Sequence, residues 1–347
     1  MRKSFSSRVT LAQVADRAGV STMTASYTFS RPERVSAASR EKVLAAARAL
    51  GYGGPDPSAR SLRRGSAGAL GVILGEHLTY AFDDPQARAF LAGVADVCAE
   101  QGHAMTILPV VDAGADVARV RAAAVDGYIL WTTEDGAPVL DAAIATHRPV
   151  VVHGGPAAAG ARLVGIDNRA AARAIGQVVF AGATLPAVVS FPLTSARRAQ
   201  VVAGPDPHGV TFPVTRERLL GLQDAARDVG ARWSEVLVAV CSTNDAREGH
   251  TMTADLMSRT PRPDALATMS DELASGAVAA LDAVGLRMPR DVALTGWDDA
   301  EVAHRLGITT VAQSMREQGA ACARQILTGT TSDFSDRWQI IRRGSSN

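Results

Sequence analysis

The chain has 347 residues, 47% hydrophobic and 20% charged, an ordinary globular composition with length enough for two or three domains and a sizeable core. Its formal net charge of +1 hides an uneven split: residues 1–66 hold 12 Lys or Arg against 4 Asp or Glu (+8), and the remainder holds 24 against 31 (−7). A basic head on an acidic body points to a polyanion met by the first segment alone, while three widely separated cysteines without CxxC spacing argue against a disulfide framework or a zinc site.

The N-terminal stretch MRKSFSSRVTLAQVADRAG carries charges but no apolar h-region, so a cytoplasmic protein is expected. Thr10-Leu-Ala-Gln13 is a capping-box pattern, and Leu11, Val14 and Ala18 fall on one side of the short helix it opens. Gly19 supplies a turn. Ser21 caps a second helix over about 22–29. Ser36 caps a third that runs to Leu50 and stops at Gly51. Two short helices around a glycine turn, followed by a third, make a helix-turn-helix unit, a recurrent DNA-binding motif. The stretch GYGGPDPSARSLRRGSAG then reads as a basic, glycine- and proline-broken linker.

From Ala69 the texture changes. ALGVIL is a continuous apolar run, as expected of a strand buried on both faces. Similar runs recur at AMTILPVV, GYILW, PVVVHG, AVVSF, VLVAV, ALATM and VALTGW. Helical stretches at 87–101, 138–146, 169–181, 216–229, 246–258 and 272–284 separate them, so the spacing predicts parallel sheets in two subdomains with a cleft between. The uncharged run from Ile175 to Ala196 is broken by Gly182, Pro186 and Pro192. It reads as helix end, turn and buried strand rather than as a membrane span. Residues 203–213, AGPDPHGVTFP, read as an exposed loop.

The strings VTLAQVADRAGVS, VSAASREKVLAAARALGY, PDPSARSLRRG, MSDELASGAVAAL and GWDD followed by TTVAQS stand in one order along nearly the whole chain. In that order they resemble the lactose-repressor/galactose-repressor family of bacterial regulators. The resemblance implies an all-α helix-turn-helix DNA-binding domain over 1–54 and a hinge over 55–66. An α/β, two-lobed, periplasmic-binding-protein-like effector domain would follow over 67–347. Its N-subdomain would take 67–166 plus 315–332, and its C-subdomain 167–314 plus 333–347. It also implies a homodimeric regulator, usually a repressor, with double-stranded operator DNA and a small effector such as a sugar or nucleoside as partners, and neither a cofactor nor a metal.

In the second helix Met23 and Tyr27 are four apart and share a face, while Ala25 and Phe29 lie nearly opposite and suit packing on the first helix. The resemblance places base-reading side chains at Thr22, Met23 and Tyr27; the bland alternative is that Tyr27 packs on the domain surface. Ser21, Thr24 and Ser26 read as phosphate-side hydroxyls. Ser36 and Ser39 read either as helix-start residues or as further phosphate contacts. Arg31, Arg34 and Arg40 supply salt-dependent attraction. In the hinge, Ala59 and Leu62 match the family's small and wedge positions, and an apolar wedge can open a base step in the minor groove. Asp56-Pro57 departs from the common Pro-Asn start of that segment.

In the body, the resemblance makes Arg218 the effector-gripping arginine and Asp298 the effector carboxylate, at the end of a strand where open α/β sheets favour ligands. Ser270 falls where relatives often place an effector-contacting amide. Trp131, Met315, Phe82 and His153 are further cleft candidates, each with a core or surface reading beside it. No GxSxG, HExxH or P-loop string is present. The competing reading is a periplasmic-binding-type ligand-binding protein or enzyme with an incidental basic N-terminus.

Overall fold

The computed structural model describes residues 9–54, 66–75, 78–111 and 113–346. The chain divides after Ala67 into two compact units.

The first unit holds three helices, α1 (Leu11–Ala18), α2 (Thr22–Ser30) and α3 (Ala37–Leu50). Thr10 and Gln13 cap α1 reciprocally, each side chain taking up a backbone N–H of the other. Gly19 and Gly51 end α1 and α3 in the left-handed region, at φ +65 and +67. Val14, Ala25 and Val43, one from each helix, have no exposed surface and form the centre of a small core. Phe29 extends that core by meeting Tyr52 edge to face at 5.7 Å. Ala59 and Leu62 lie outside the described residues.

The second unit contains two sheets. The first has the order β2-β1-β3-β4-β5, all parallel: β1 (Ala69–Leu74), β2 (Ala104–Pro109), β3 (Tyr128–Trp131), β4 (Val150–His153) and β5 (Arg162–Val164). The second has the order β12-β11-β10-β9-β6-β8-β7, with β6 (Pro186–Ser190), β7 (Gln200–Ala203), β8 (Leu237–Val240), β9 (Ala265–Thr268), β10 (Ala293–Asp298), β11 (Thr309–Ala312) and β12 (Gln339–Ile341). Only its edge strands β7 and β12 run antiparallel to their neighbours. Strands β1, β3, β4, β6, β9 and β10 are buried at every position, which is why they read as unbroken apolar runs.

Ten helices of this unit lie among the described residues: α4 (Tyr80–Asp83), α5 (Pro85–Glu100), α6 (Ala113–Ala122), α7 (Pro138–Ile144), α8 (Asn168–Val179), α9 (Pro213–Asp228), α10 (Ala246–Met257), α11 (Asp271–Ala283), α12 (Glu301–Leu306) and α13 (Met315–Leu327). Helix α13 packs on α5 of the first lobe, although it follows a strand of the second. Two glycines allow the approach: a Cβ on Gly93 would meet the Arg316 carbonyl oxygen at 1.9 Å, and one on Gly319 that of Phe90 at 2.2 Å. The chain thus crosses between lobes three times, at 165–167, 313–314 and 328–338.

Residues 203–213 are a correction. They are not simply an exposed loop: they hold a 3-10 turn at Pro207–Gly209, and Pro207, Val210, Phe212 and Pro213 are buried. The prolines and glycines fix the turn while the apolar side chains between them pack inward. No helix among the described residues is long and apolar enough to cross a membrane.

Candidate functional site

Helix α2 presents Met23 to solvent at 65% exposure, with Thr22 exposed beside it and Tyr27 half-buried one turn on. Ala25 and Thr28 are buried on the other side. Ser21 caps the helix: its Oγ accepts the Thr24 N–H at 3.1 Å and meets the Thr24 hydroxyl at 2.9 Å. Ser26 is half-buried, and its carbonyl accepts from the Ser30 hydroxyl. Ser36 caps α3, taking the Ser39 N–H at 3.3 Å and donating to the Ser39 hydroxyl at 3.0 Å. Arg31, Arg34 and Arg40 are exposed on the segment that joins and opens these helices. The exposed face therefore offers a helix N-terminus with positive dipole, hydroxyls, one thioether and flanking guanidinium groups.

The second unit carries a cleft of about 1050 Å³, its open mouth included. Trp131, His153 and Asp298 line it from the last positions of β3, β4 and β10, and Phe191 from just past β6. A site at the carboxyl ends of parallel strands is where two such sheets leave an open crevice.

Arg218, on α9, is 3% exposed and held from several sides. Its Nε donates to Asn168 Oδ1 at 3.0 Å and Nη1 to the Met269 carbonyl at 2.6 Å. Its guanidinium lies 3.8 Å from the ring centre of Trp297 and 5.4 Å from that of Phe191. Burial lowers its pKa to about 10, with the Asp298 charge pulling the other way. Burial raises the Asp298 carboxyl to about 6, against Arg218 and a 2.8 Å hydrogen bond from Gln313 Nε2. Burial also lowers His153 to about 4, a hydrogen bond to Gln318 opposing it and the Arg218 charge adding to it. At neutral pH the buried part of the cleft thus pairs the Arg218 cation with the Asp298 carboxylate and adds a neutral imidazole at His153.

The lobes also meet across the mouth. Asn244, after β8, donates to Asp84 Oδ2 at 2.9 Å, while Asp84 Oδ1 caps α5 through the Ala87 N–H at 2.7 Å. Thr211 donates to Glu134 at 3.1 Å, its carbonyl accepts the Asp135 N–H at 2.8 Å, and Arg216 pairs with Asp135.

Of the residues singled out in the sequence, Arg218, Asp298, Trp131, Met315 and His153 line the cleft. Two do not. Ser270 is buried one bond behind it: its Oγ caps α11 through the Leu273 N–H and donates to Asn244 Oδ1, and Asn244 is the residue at the wall. Phe82 stands 59% exposed on the short α4, and Tyr80 of that helix lines the cleft instead. Asn168, Asp84, Asn244, Gln313 and Gln318 went unread. They are scattered over strand ends, helix starts and a helix interior, and only the folded topology gathers them. Among the described residues no group of His, Cys, Asp or Glu is placed to hold a metal ion.

Comparison with known proteins gives a consistent result. Residues 10–54 match the model of bacterial regulatory proteins of the lacI family, and residues 189–345 match that of a periplasmic binding protein-like domain. An HTH-type transcriptional regulator of Mycobacterium tuberculosis is 37% identical over 325 residues, covering 92% of this chain and 90% of its own. A solved LacI-family transcriptional regulator from Corynebacterium glutamicum superposes with a TM-score of 0.72 at 27% identity, covering 97% of this chain and 98% of its own. The regulator CelR, solved as a cellobiose complex, superposes with a TM-score of 0.66 at 25% identity, covering 97% and 100%.

Proposed function

The chain belongs to the lacI family of bacterial regulatory proteins and is a DNA-binding transcriptional regulator, not an enzyme; from that premise we propose that it acts as a homodimeric repressor whose operator affinity is set by a small polar effector held in the cleft. The observation that carries the effector reading is the opposed pair Arg218 and Asp298, both buried and both lining the cleft. A fixed guanidinium donates to a polar group, and a carboxylate accepts from two hydroxyls. Trp131 and Phe191 offer apolar faces to a ring. A sugar or nucleoside satisfies both needs, and a relative's complex with cellobiose supports the sugar.

On the DNA side, Thr22, Met23 and Tyr27 are the proposed base-contacting residues, and Ser21, Thr24, Ser26, Ser36 and Ser39 the phosphate-contacting ones. In α2 Met23 and Tyr27 lack the bidentate donors that read guanine or adenine, so direct readout is modest and partly apolar. Leu62, with Ala59 beside it, is the proposed minor-groove wedge of the hinge, and the flexible step it enters carries the remaining discrimination. Effector bound between the lobes acts only through unequal affinity for the two lobe arrangements.

Two measurements test this. Selection from random DNA should return a two-fold symmetric site, and removal of residues 1–66 should abolish binding to it while the body stays folded and dimeric. Thermal unfolding against cellobiose, ribose and purines should show a Tm gain that disappears in Asp298→Ala. Binding indifferent to DNA sequence, or a gain undiminished by that substitution, defeats the corresponding half of the reading.

A further inference from the structure

Four side chains form a continuous hydrogen-bonded path from one lobe to the other. His153 Nε2, at the end of β4, lies 2.9 Å from Gln318 Oε1 on α13. Gln318 Nε2 donates to Gln313 Oε1 at 3.1 Å, and Gln313 Nε2 donates to Asp298 Oδ1, at the end of β10, at 2.8 Å. Gln313 sits on the crossover from β11 to α13, and Gln318 in the first turns of α13.

The direction of this path follows from its last member. An ionised carboxylate only accepts. It therefore takes the amide nitrogen of Gln313, whose oxygen must then face Gln318. Gln318 presents its nitrogen there and turns its own oxygen to His153. Since that oxygen only accepts, His153 Nε2 must carry the hydrogen. A neutral imidazole has a single N–H, so Nδ1 is left as a lone-pair acceptor. His153 Nδ1 is buried and has no partner within the protein, on a residue that lines the cleft.

We propose that Gln313 and Gln318 are positioning residues that carry the hydrogen-bond polarity of Asp298 across the crossover and set the Nε2–H tautomer of His153, so that each lobe offers the effector an acceptor. This rests on the reading of the cleft as the effector site. It narrows the ligand class to molecules that donate at both ends, such as polyols with hydroxyls spaced to reach Asp298 and His153 Nδ1 together. Replacing the hydroxyl that faces His153 by a carbonyl would oppose two acceptors. Burial of the imidazole keeps it neutral, as the relay requires.

The test is nitrogen-15 NMR of the full chain labelled in its imidazole rings, without ligand, at pH 7. The His153 signal, identified by its loss in His153→Asn, is expected as the neutral Nε2–H tautomer alone. Gln313→Leu alters a residue that bonds Gln318 rather than His153. It frees the Gln318 amide to turn, and a second, Nδ1–H population is expected, with Gln313→Ala read in the same way. Gln313→Glu, whose carboxyl still accepts from Gln318, should keep a single tautomer. A wild-type ring that is Nδ1–H or cationic overturns the proposal. So does a single Nε2–H tautomer that survives both Gln313→Leu and Gln313→Ala, or one that is lost in Gln313→Glu. An ordered ring in a protein that no sugar or purine stabilises overturns the effector reading and leaves the relay standing.

Discussion

The guanidinium of Arg218 lies over Trp297, 3.8 Å from the ring centre, and feels the charge of Asp298. Arg218→Met keeps an unbranched apolar stem but removes the guanidinium and leaves Asp298 buried without a counter-charge. The expected cost is about 3–5 kcal/mol at pH 7 in urea unfolding. Arg218 holds the Asp298 pKa down, so in the variant the carboxyl should titrate above its wild-type value of about 6, and the cost should shrink as the pH falls toward that value. A pH-independent loss below about 1 kcal/mol would mean that the two groups do not sense each other.

Asp298 itself is held at a cost. Its pKa rises from 3.8 to about 6 in the folded chain, so the wild type loses stability as the pH climbs from the first value through the second. Asp298→Asn removes that loss. It is expected to be more stable than wild type by about 1–3 kcal/mol at pH 7–8 and equal to it below the unfolded pKa. The same variant should lose the effector-dependent Tm gain. Calorimetry across pH checks both; a variant less stable at pH 8 than at pH 4, relative to wild type, contradicts the assignment.

Asn244 joins the lobes by donating to Asp84. Asn244→Ala removes the donor from a buried carboxylate and should cost about 1–3 kcal/mol of stability. Asp84 keeps its bond to Ala87, so α5 should remain capped. Small-angle scattering should show a more open second unit, and an unchanged profile would remove the contact from any account of lobe closure.

Met23 is exposed, so Met23→Ala should spare the fold and change which base pairs are preferred in a selected site. The slope of log affinity against log salt should stay the same. Arg40→Gln should do the reverse, weakening all DNA alike and lowering the slope by about 1. Fluorescence anisotropy at several salt concentrations separates the two; a shift in base preference from Arg40→Gln would exchange the roles.

Gly319→Ala would set a methyl group 2.2 Å from the Phe90 carbonyl oxygen. Backbone must give way there, since no flexible side-chain tip can retreat. A loss of about 1–3 kcal/mol or more is expected in urea unfolding, and a neutral result would show that α5 and α13 part easily.

The helix-turn-helix was legible because its signals are local. Thr10, Ser21 and Ser36 each cap the helix that follows, and Gly19 and Gly51 end theirs. The central strands were legible because burial on both faces makes them continuous apolar runs. Strand β5, with two of three residues exposed, and β7 at its sheet edge left no such run. Helix α6 carries Asp116, Arg119 and Arg121 within ten residues, and these charges interrupt any apolar run along it. In the cleft, Arg218 and Asp298 were readable through the strings that surround them. Asp84 and Asn244 were not, since they are 160 positions apart and meet only because two sheets face each other. Ser270 shows the limit most sharply: it stands one hydrogen bond behind the cleft wall, and its hydroxyl is spent on a helix cap and on Asn244.

The three crossings between the lobes have a mechanical consequence. Two bodies joined by one tether can swivel about any axis through it. Three tethers remove much of that freedom and leave fewer soft motions than one would. Because α13 is seated against α5 by two facing glycines, and Gln313 at the crossover is hydrogen-bonded to Asp298, a shift of the first lobe along that crossover would be felt at the carboxylate.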